Sequence, residues 1–305
     1  MAASPSSHSD IINQRPSWFS NPWFKRIGIA MGLALLLGAI LVVFSSRDQV
    51  AHALAEVKHP SPMHLLVLLG CVLGNIIFSG LLFSLLISRY GKVGLFEMQA
   101  LIASATLINF LPLRPGLLGR VAYHKTINDI AATDSAKTII QALLCTMSVA
   151  AYFALALMIC NMMAWNLWIG LLLPIPIIAL LATRRAWRIY ALAFGIRHLE
   201  VGLWAARYWA AFGLLGLELE LQTALALACI SVIATMVPFF SNGLGLREWA
   251  IGLAAPFLTT TIAHMQIGLT GELVNRAAEL LVVTLAGLIG LAYLARRKSR
   301  RQSSN

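Results

Sequence analysis

The chain has 305 residues, of which 59% are hydrophobic and 11% charged, and its formal net charge is +11. Soluble domains are about 45–50% apolar and about 25% charged, so this composition excludes an ordinary soluble globule and points to a polytopic membrane protein. The positive balance does not imply nucleic acid, because the basic residues flank apolar runs, and Arg296, Arg297, Lys298, Arg300 and Arg301 close the sequence. Flanks of that kind face the cytoplasm and anionic lipid.

In chain order, residues 1–24 read as a polar cytoplasmic tail ending in an interfacial anchor of Trp18, Phe19, Trp23 and Phe24 beside Lys25 and Arg26. Residues 25–295 read as one transmembrane domain, and 296–305 as a basic cytoplasmic tail. Within the domain, Ile27–Phe44, Met63–Ser88, Thr138–Cys160, Met163–Leu181 and Leu273–Leu294 are each near the ~20 residues that cross a bilayer, and another run begins at Leu203. Ile27–Phe44 is long for a signal segment and is not followed by a small-x-small cleavage site. Cys71, Cys145, Cys160 and Cys229 lie in apolar segments without a CxxC pair and read as packed free thiols.

Two places break the apolar pattern. Pro112-Leu-Arg114-Pro-Gly116-Leu-Leu-Gly119-Arg120 interrupts the first half, and Pro238-Phe-Phe-Ser-Asn242-Gly243-Leu-Gly245-Leu-Arg247-Glu248 the second. Non-helical backbone at membrane depth is tolerated only where protein or a water-filled cavity covers it, and ionisable side chains there suggest a functional site.

Charge placement decides how these breaks thread the membrane. If every apolar run crosses once, ten Lys/Arg fall inside and eleven outside, which violates the positive-inside rule. If instead residues 95–127 enter and leave on the cytoplasmic side while 221–258 enter and leave on the other, sixteen fall inside, two outside (Arg47 and Lys58) and five within the membrane. The predicted fold class is therefore all-α: six full transmembrane helices plus two oppositely oriented re-entrant helical hairpins. Inverted structural repeats would produce that arrangement, and paired Gly/Pro-interrupted segments are a sequence pointer to a transporter site.

At the first break, Pro115 and Gly116 suit a helix start, and Gly116, Arg120 and His124 share one face at i, i+4 spacing. An amphipathic helix meeting lipid headgroups would show the same pattern. At the second, Asn242-Gly243 suits a turn with positive φ, and Gly245 precedes a helix with Arg247 and Glu248 in its first turn. Arg247 is unfavourable at that positive end unless an anion binds there; the alternative is a local Arg–Glu arrangement. Helix N-termini and arginine forks together would make a phosphate-sized anion site. Glu272, Arg276 and Glu279 form one stripe with Asn275 beside them, either supplying counter-charge to the site or neutralising one another. Arg207 is placed near the inner membrane face, snorkelling, and Glu97 at the cytoplasmic start of the first hairpin.

No catalytic motif is present, and the scattered His64, His124, His198 and His264 form no metal constellation, so neither a cofactor nor a metal is expected. These residues resemble the lysylphosphatidylglycerol synthase/flippase transmembrane family. Its first motif runs approximately Pro-x-Arg-x-Gly-Glu-x-x-Arg; Pro112, Arg114, Gly116 and Arg120 match, and Leu117 stands at the acidic position. Its second is close to Pro-Gly-Gly-Leu-Gly-Val-Arg-Glu; Gly243, Leu244, Gly245, Arg247 and Glu248 match, Ser241 and Asn242 depart, and Leu246 is conservative. A late-span arginine, here Arg276, also fits.

The resemblance implies a multi-pass protein of the bacterial inner membrane, both termini cytoplasmic, that moves a phospholipid or lipid-linked anionic molecule between leaflets. The soluble synthase domain of bifunctional members is not expected. The headgroup site would comprise Arg114, Gly116, Arg120, Asn242, Gly243, Gly245, Arg247, Glu248, Arg276 and Glu279, with a lipid phosphate as partner. The rival expectations are a non-transporting accessory subunit of a lipid-modifying glycosyltransferase or aminoacyltransferase, and an intramembrane transferase.

Overall fold

The computed structural model describes residues 22–45, 61–111, 114–237, 240–262 and 264–302. Trp18, Phe19, Arg47, Lys58, Pro112 and Pro238 lie outside the described residues, as do the side chains of Trp23, Phe24, Lys25, Arg26, Lys298, Arg300 and Arg301. Every regular element among the described residues is helical. Three helices are long and apolar enough to cross a membrane, Pro62–Ile87, Ala132–Met162 and Met265–Arg297, and several shorter ones are apolar. This is compatible with a membrane protein, and large apolar side chains such as Leu66, Met162, Leu180 and Ile289 face outward.

We number the helices α1 (Pro22–Ser45), α2 (Pro62–Ile87), α3 (Leu95–Ile108), α4 (Pro115–Ile127), α5 (Ala132–Met163), α6 (Leu167–Leu172), α7 (Pro174–Thr183), α8 (Arg188–Gly213), α9 (Leu221–Met236), α10 (Leu246–Leu258) and α11 (Met265–Gln302). Local chemistry sets several of the ends. Ser61 caps α2, its Oγ accepting from the Met63 amide at 3.3 Å, and Asn166 caps α6 by accepting from Trp168 at 3.0 Å. The expected span Met163–Leu181 is divided at Leu173–Pro174, where proline supplies no N–H. Helix α8 begins well before Leu203, because Arg197, His198 and Glu200 obscure the apolar pattern while being held inside the protein. Helix α11 runs 38 residues, through much of the expected basic tail.

Helices α2 and α8 form an antiparallel central pair, and small residues set its register. A Cβ on Gly213 would lie 2.5 Å from the His64 ring, and one on Gly74 would lie 2.8 Å from Leu203. Further along, Ser79 Oγ donates to Glu200 at 2.9 Å, and Arg89 donates to the Tyr190 hydroxyl at 2.8 Å. Helices α3 and α11 are also antiparallel, with Gly290 against the Ala100 carbonyl and Arg297 Nη2 2.7 Å from Glu97 Oε2.

Near the close of α4, Tyr123 and Asn128 donate to Glu97 Oε1, at 2.9 and 3.1 Å, beside the start of α3. At the opposite end of the molecule, Gly252 of α10 packs on Met265 and Leu269 of α11. The element contacts map onto themselves when α2–α5 is exchanged with α8–α11: α3 meets α11 as α9 meets α5, and α2 meets α11 as α8 meets α5.

Candidate functional site

The two breaks meet. Helix α3 ends at Ile108 and α4 starts at Pro115, with Arg114 between them in the left-handed region, φ 50°. A non-glycine residue held there costs about 1–2 kcal/mol. What holds it is the other break. Arg114 Nη2 donates to the carbonyls of Thr235, Val237 and Phe240, the last two at 3.0 Å. These carbonyls lie at and just beyond the end of α9, where a helix leaves acceptors without partners and carries partial negative charge.

The glycines pack against protein. A Cβ on Gly116 would lie 2.1 Å from the Ala105 carbonyl oxygen, and one on Gly245, whose φ is 77°, would lie 2.5 Å from that of Gly32. Gly243, with φ 71°, approaches the Thr235 backbone in the same way. These contacts show that each of the three glycines permits close approach of protein backbone.

Behind the second break lies a buried charge cluster. Asn242, φ 49°, donates from Nδ2 to Glu279 Oε1 at 2.9 Å, and its carbonyl accepts from Arg276 at 3.2 and 3.3 Å. Arg276 Nε also donates to Glu248 Oε1 at 2.9 Å. Arg247 donates from Nε to Glu272 Oε1, and its Nη2 forms an ion pair with Glu279 Oε2 at 2.8 Å, although the angle is poor for a hydrogen bond. Arg207 donates to Glu279 at 2.9 Å, Asn275 at 3.0 Å and Asn75 at 3.3 Å, its guanidinium 4.0 Å from the centre of the Trp204 ring. Glu272 accepts in addition from the Tyr208 hydroxyl at 2.7 Å and from Asn275 at 3.1 Å. Three arginines and three glutamates, each at most 6% exposed by side chain, thus cancel in net charge. Isolated buried ions would be costly, and here each faces a partner of opposite sign.

In front of the cluster is a cavity of about 270 Å³ with both polar and apolar lining. Arg114, Asn242, Arg207 and Glu279 line the region nearest the breaks, and Ser79, Arg197 and Glu200 line another part of its wall. Arg197 pairs with Glu200 and also reaches Ser79 Oγ at 3.3 Å. Arg120 is 4% exposed and stacks 3.7 Å from the centre of the Phe83 ring, one turn beyond Ser79. Its Nη2 has no hydrogen-bond partner among the described residues. Gly116, Arg120 and His124 form the buried face of α4, the face that their spacing marks out.

The sequence-selected residues therefore divide into two groups. Arg247, Glu248, Arg276, Glu279 and Asn242 share one network, while Arg114 and Arg120 have no carboxylate partner among the described residues. Arg247 is answered by Glu272 and Glu279 rather than by its neighbour Glu248. The largest correction is Arg207, which is 1% exposed at the centre of the protein and does not snorkel. Sequence reasoning also passed over Asn75, Tyr208 and the Arg197–Glu200 pair. The available signal was an ionisable series Arg197, Glu200, Arg207 at i, i+3 and i+10 in one helical segment. Among the described residues no group of His, Cys, Asp and Glu is arranged to hold a metal ion. Compared with protein-family models, curated proteins and solved structures, the chain has no match.

Proposed function

We propose that this chain is a lipid transporter of the bacterial cytoplasmic membrane, with the membrane fold of the lysylphosphatidylglycerol synthase/flippase type. The single observation that carries the reading is a cavity with a mixed polar and apolar lining where two helix breaks meet, with Arg114, which has no carboxylate partner among the described residues, in its wall. A lipid phosphate answers that charge, and acyl chains remain in the surrounding hydrocarbon.

In this reading α1, α2, α5, α6 with α7, α8 and α11 cross the membrane, and the pairs α3/α4 and α9/α10 are re-entrant from opposite sides. Charge supports it. The end of the bundle where α2 stops and α8 starts carries Arg89, Lys92, Lys125, Lys137, Arg184, Arg185, Arg188 and Arg297, and is placed in the cytoplasm. At the other end, the connections at residues 160–170, 214–222 and 258–262 contain no Lys or Arg, and the one at 46–61 carries only Arg47 and Lys58. The antiparallel α2/α8 pair and the exchange of contacts between halves support an inverted repeat. Alternating access would then be a rocking of one half against the other about the cavity.

The test is transport of an anionic phospholipid in vesicles containing the purified protein. Arg114→Gln removes a charge-assisted hydrogen bond, worth about 1.5–3 kcal/mol, so translocation is expected to fall about 10- to 100-fold. Arg114→Lys keeps the charge and is expected to retain part of the rate. Undiminished transport by a folded Arg114→Gln protein would refute the assignment.

A further inference from the structure

We infer that the cavity takes a phosphodiester whose second substituent is an uncharged, hydroxyl-bearing group, a glycerol- or sugar-sized polyol, rather than an amine. The inference rests on the lipid-phosphate reading above and names its substrate class. It comes from what the wall of this one cavity offers a ligand. Its two parts are joined through Asn75, which accepts on Oδ1 from Arg207 at 3.3 Å and donates from Nδ2 to the Glu200 carbonyl at 3.1 Å. Glu200 and Arg207 are seven residues apart on α8, about 10 Å along the axis. A wall of that length exceeds one phosphate, so a headgroup held at Arg114 carries a further group that reaches Glu200.

Charge restricts that group. Three arginines line the cavity, Arg114, Arg197 and Arg207, against two glutamates, Glu200 and Glu279. Arg197 pairs with Glu200, and Arg207 with Glu279 at 2.9 Å. Arg114 is left over, a formal excess of one positive charge in the lining, which the single negative charge of a phosphodiester cancels. An ammonium on the same headgroup would restore the excess, and it would find both carboxylates engaged. Hydrogen bonding then identifies the group. Thr106, Thr146 and Thr235 line the cavity, and each hydroxyl donates to a carbonyl of its own helix, at 2.8, 2.8 and 2.7 Å. A hydroxyl has one proton and two lone pairs, so what these three offer a ligand is acceptors. Asn109, also in the wall, has a buried amide oxygen without a hydrogen-bond partner among the described residues. An ionised phosphodiester has no proton to donate to such a wall, whereas alcohol hydroxyls do.

The experiment measures binding to the purified full chain by ligand-induced thermal stabilisation, with four probes. Phosphatidylglycerol carries the charge and two hydroxyls, phosphatidylmethanol the charge alone, phosphatidylethanolamine an ammonium, and glycerophosphoglycerol the polyol headgroup without acyl chains. Phosphatidylglycerol is expected to bind at least about fivefold more tightly than phosphatidylmethanol, the worth of two modest hydrogen bonds. It should bind at least about tenfold more tightly than phosphatidylethanolamine, because like charges brought together are costly. The double variant Thr106→Val/Thr146→Val keeps the side-chain shape and removes hydroxyls bonded only within their own helices, so the fold is retained while the phosphatidylglycerol-to-phosphatidylmethanol ratio falls towards one. Arg114→Gln should weaken both of those lipids and leave their ratio in place.

Equal binding of phosphatidylglycerol and phosphatidylmethanol, phosphatidylethanolamine binding as tightly as phosphatidylglycerol, or a ratio that survives the double variant would overturn the inference. Glycerophosphoglycerol binding as tightly as phosphatidylglycerol would uphold the polyol-phosphate site and sink the lipid reading. Equal binding of all three lipids with intact vesicle transport would do the reverse.

Discussion

Replacing Arg247 by alanine is expected to destabilise the protein by about 3–5 kcal/mol, the cost of removing one partner from a buried ion pair. The reason is what remains. Glu279 would keep Arg207, Arg276 and Asn242, but Glu272 would keep only the Tyr208 hydroxyl and the Asn275 amide. An ionised carboxylate that is 0% exposed would then have no cation. Adding Glu272→Gln should recover about 1–3 kcal/mol, since neighbours in one network couple by that much. Thermal unfolding in detergent measures both steps. A melting temperature for Arg247→Ala equal to the parent's would show that the cluster does not hold the second break in place, and lost transport in that variant is attributable to the site only if stability is first restored.

The second large effect is steric. Gly116→Ala places a Cβ 2.1 Å from the Ala105 carbonyl oxygen and 2.7 Å from Asn109 Oδ1, and neither the backbone nor a short side chain can yield by that distance. Overpacking of this kind costs about 1–3 kcal/mol. The displacement would fall on Arg114, two residues earlier, and loosen its hold on the end of α9. Gly119 on the same helix is the control, because a Cβ there meets nothing within 4 Å. Gly119→Ala should be neutral or should stabilise by up to about 1 kcal/mol, as expected for an open helical glycine. Comparison of the two melting temperatures, with transport rates alongside, tests the contact, and similar behaviour of the two variants would refute it.

The helix boundaries at both breaks were legible because proline and glycine act locally. Pro115 starts α4, and Asn242, Gly243 and Gly245 take the positive φ values that their residue types allow. The buried face of α4 was legible from i, i+4 spacing. Partner choice was not. Which carboxylate faces Arg247 depends on how α10 packs on α11, a relation between segments 25 residues apart that no local pattern encodes. Arg207 failed for a related reason: an arginine near one end of an apolar run looks like a snorkelling residue until the polar first half of α8 is seen to be helical as well.

The proposed anion site lies where two broken helix pairs meet, and in that proposal one pair enters the membrane from each side. Cysteine labelling tests that directly, with Lys125→Cys at the end of α4 and Thr260→Cys after α10, both exposed positions, in a background where the four native cysteines are replaced by serine. A membrane-impermeant maleimide should label Thr260→Cys in intact cells and Lys125→Cys only after the membrane is opened. Labelling of both from the same side would mean that each broken pair passes through the membrane once instead of returning, and the shared cavity would be lost.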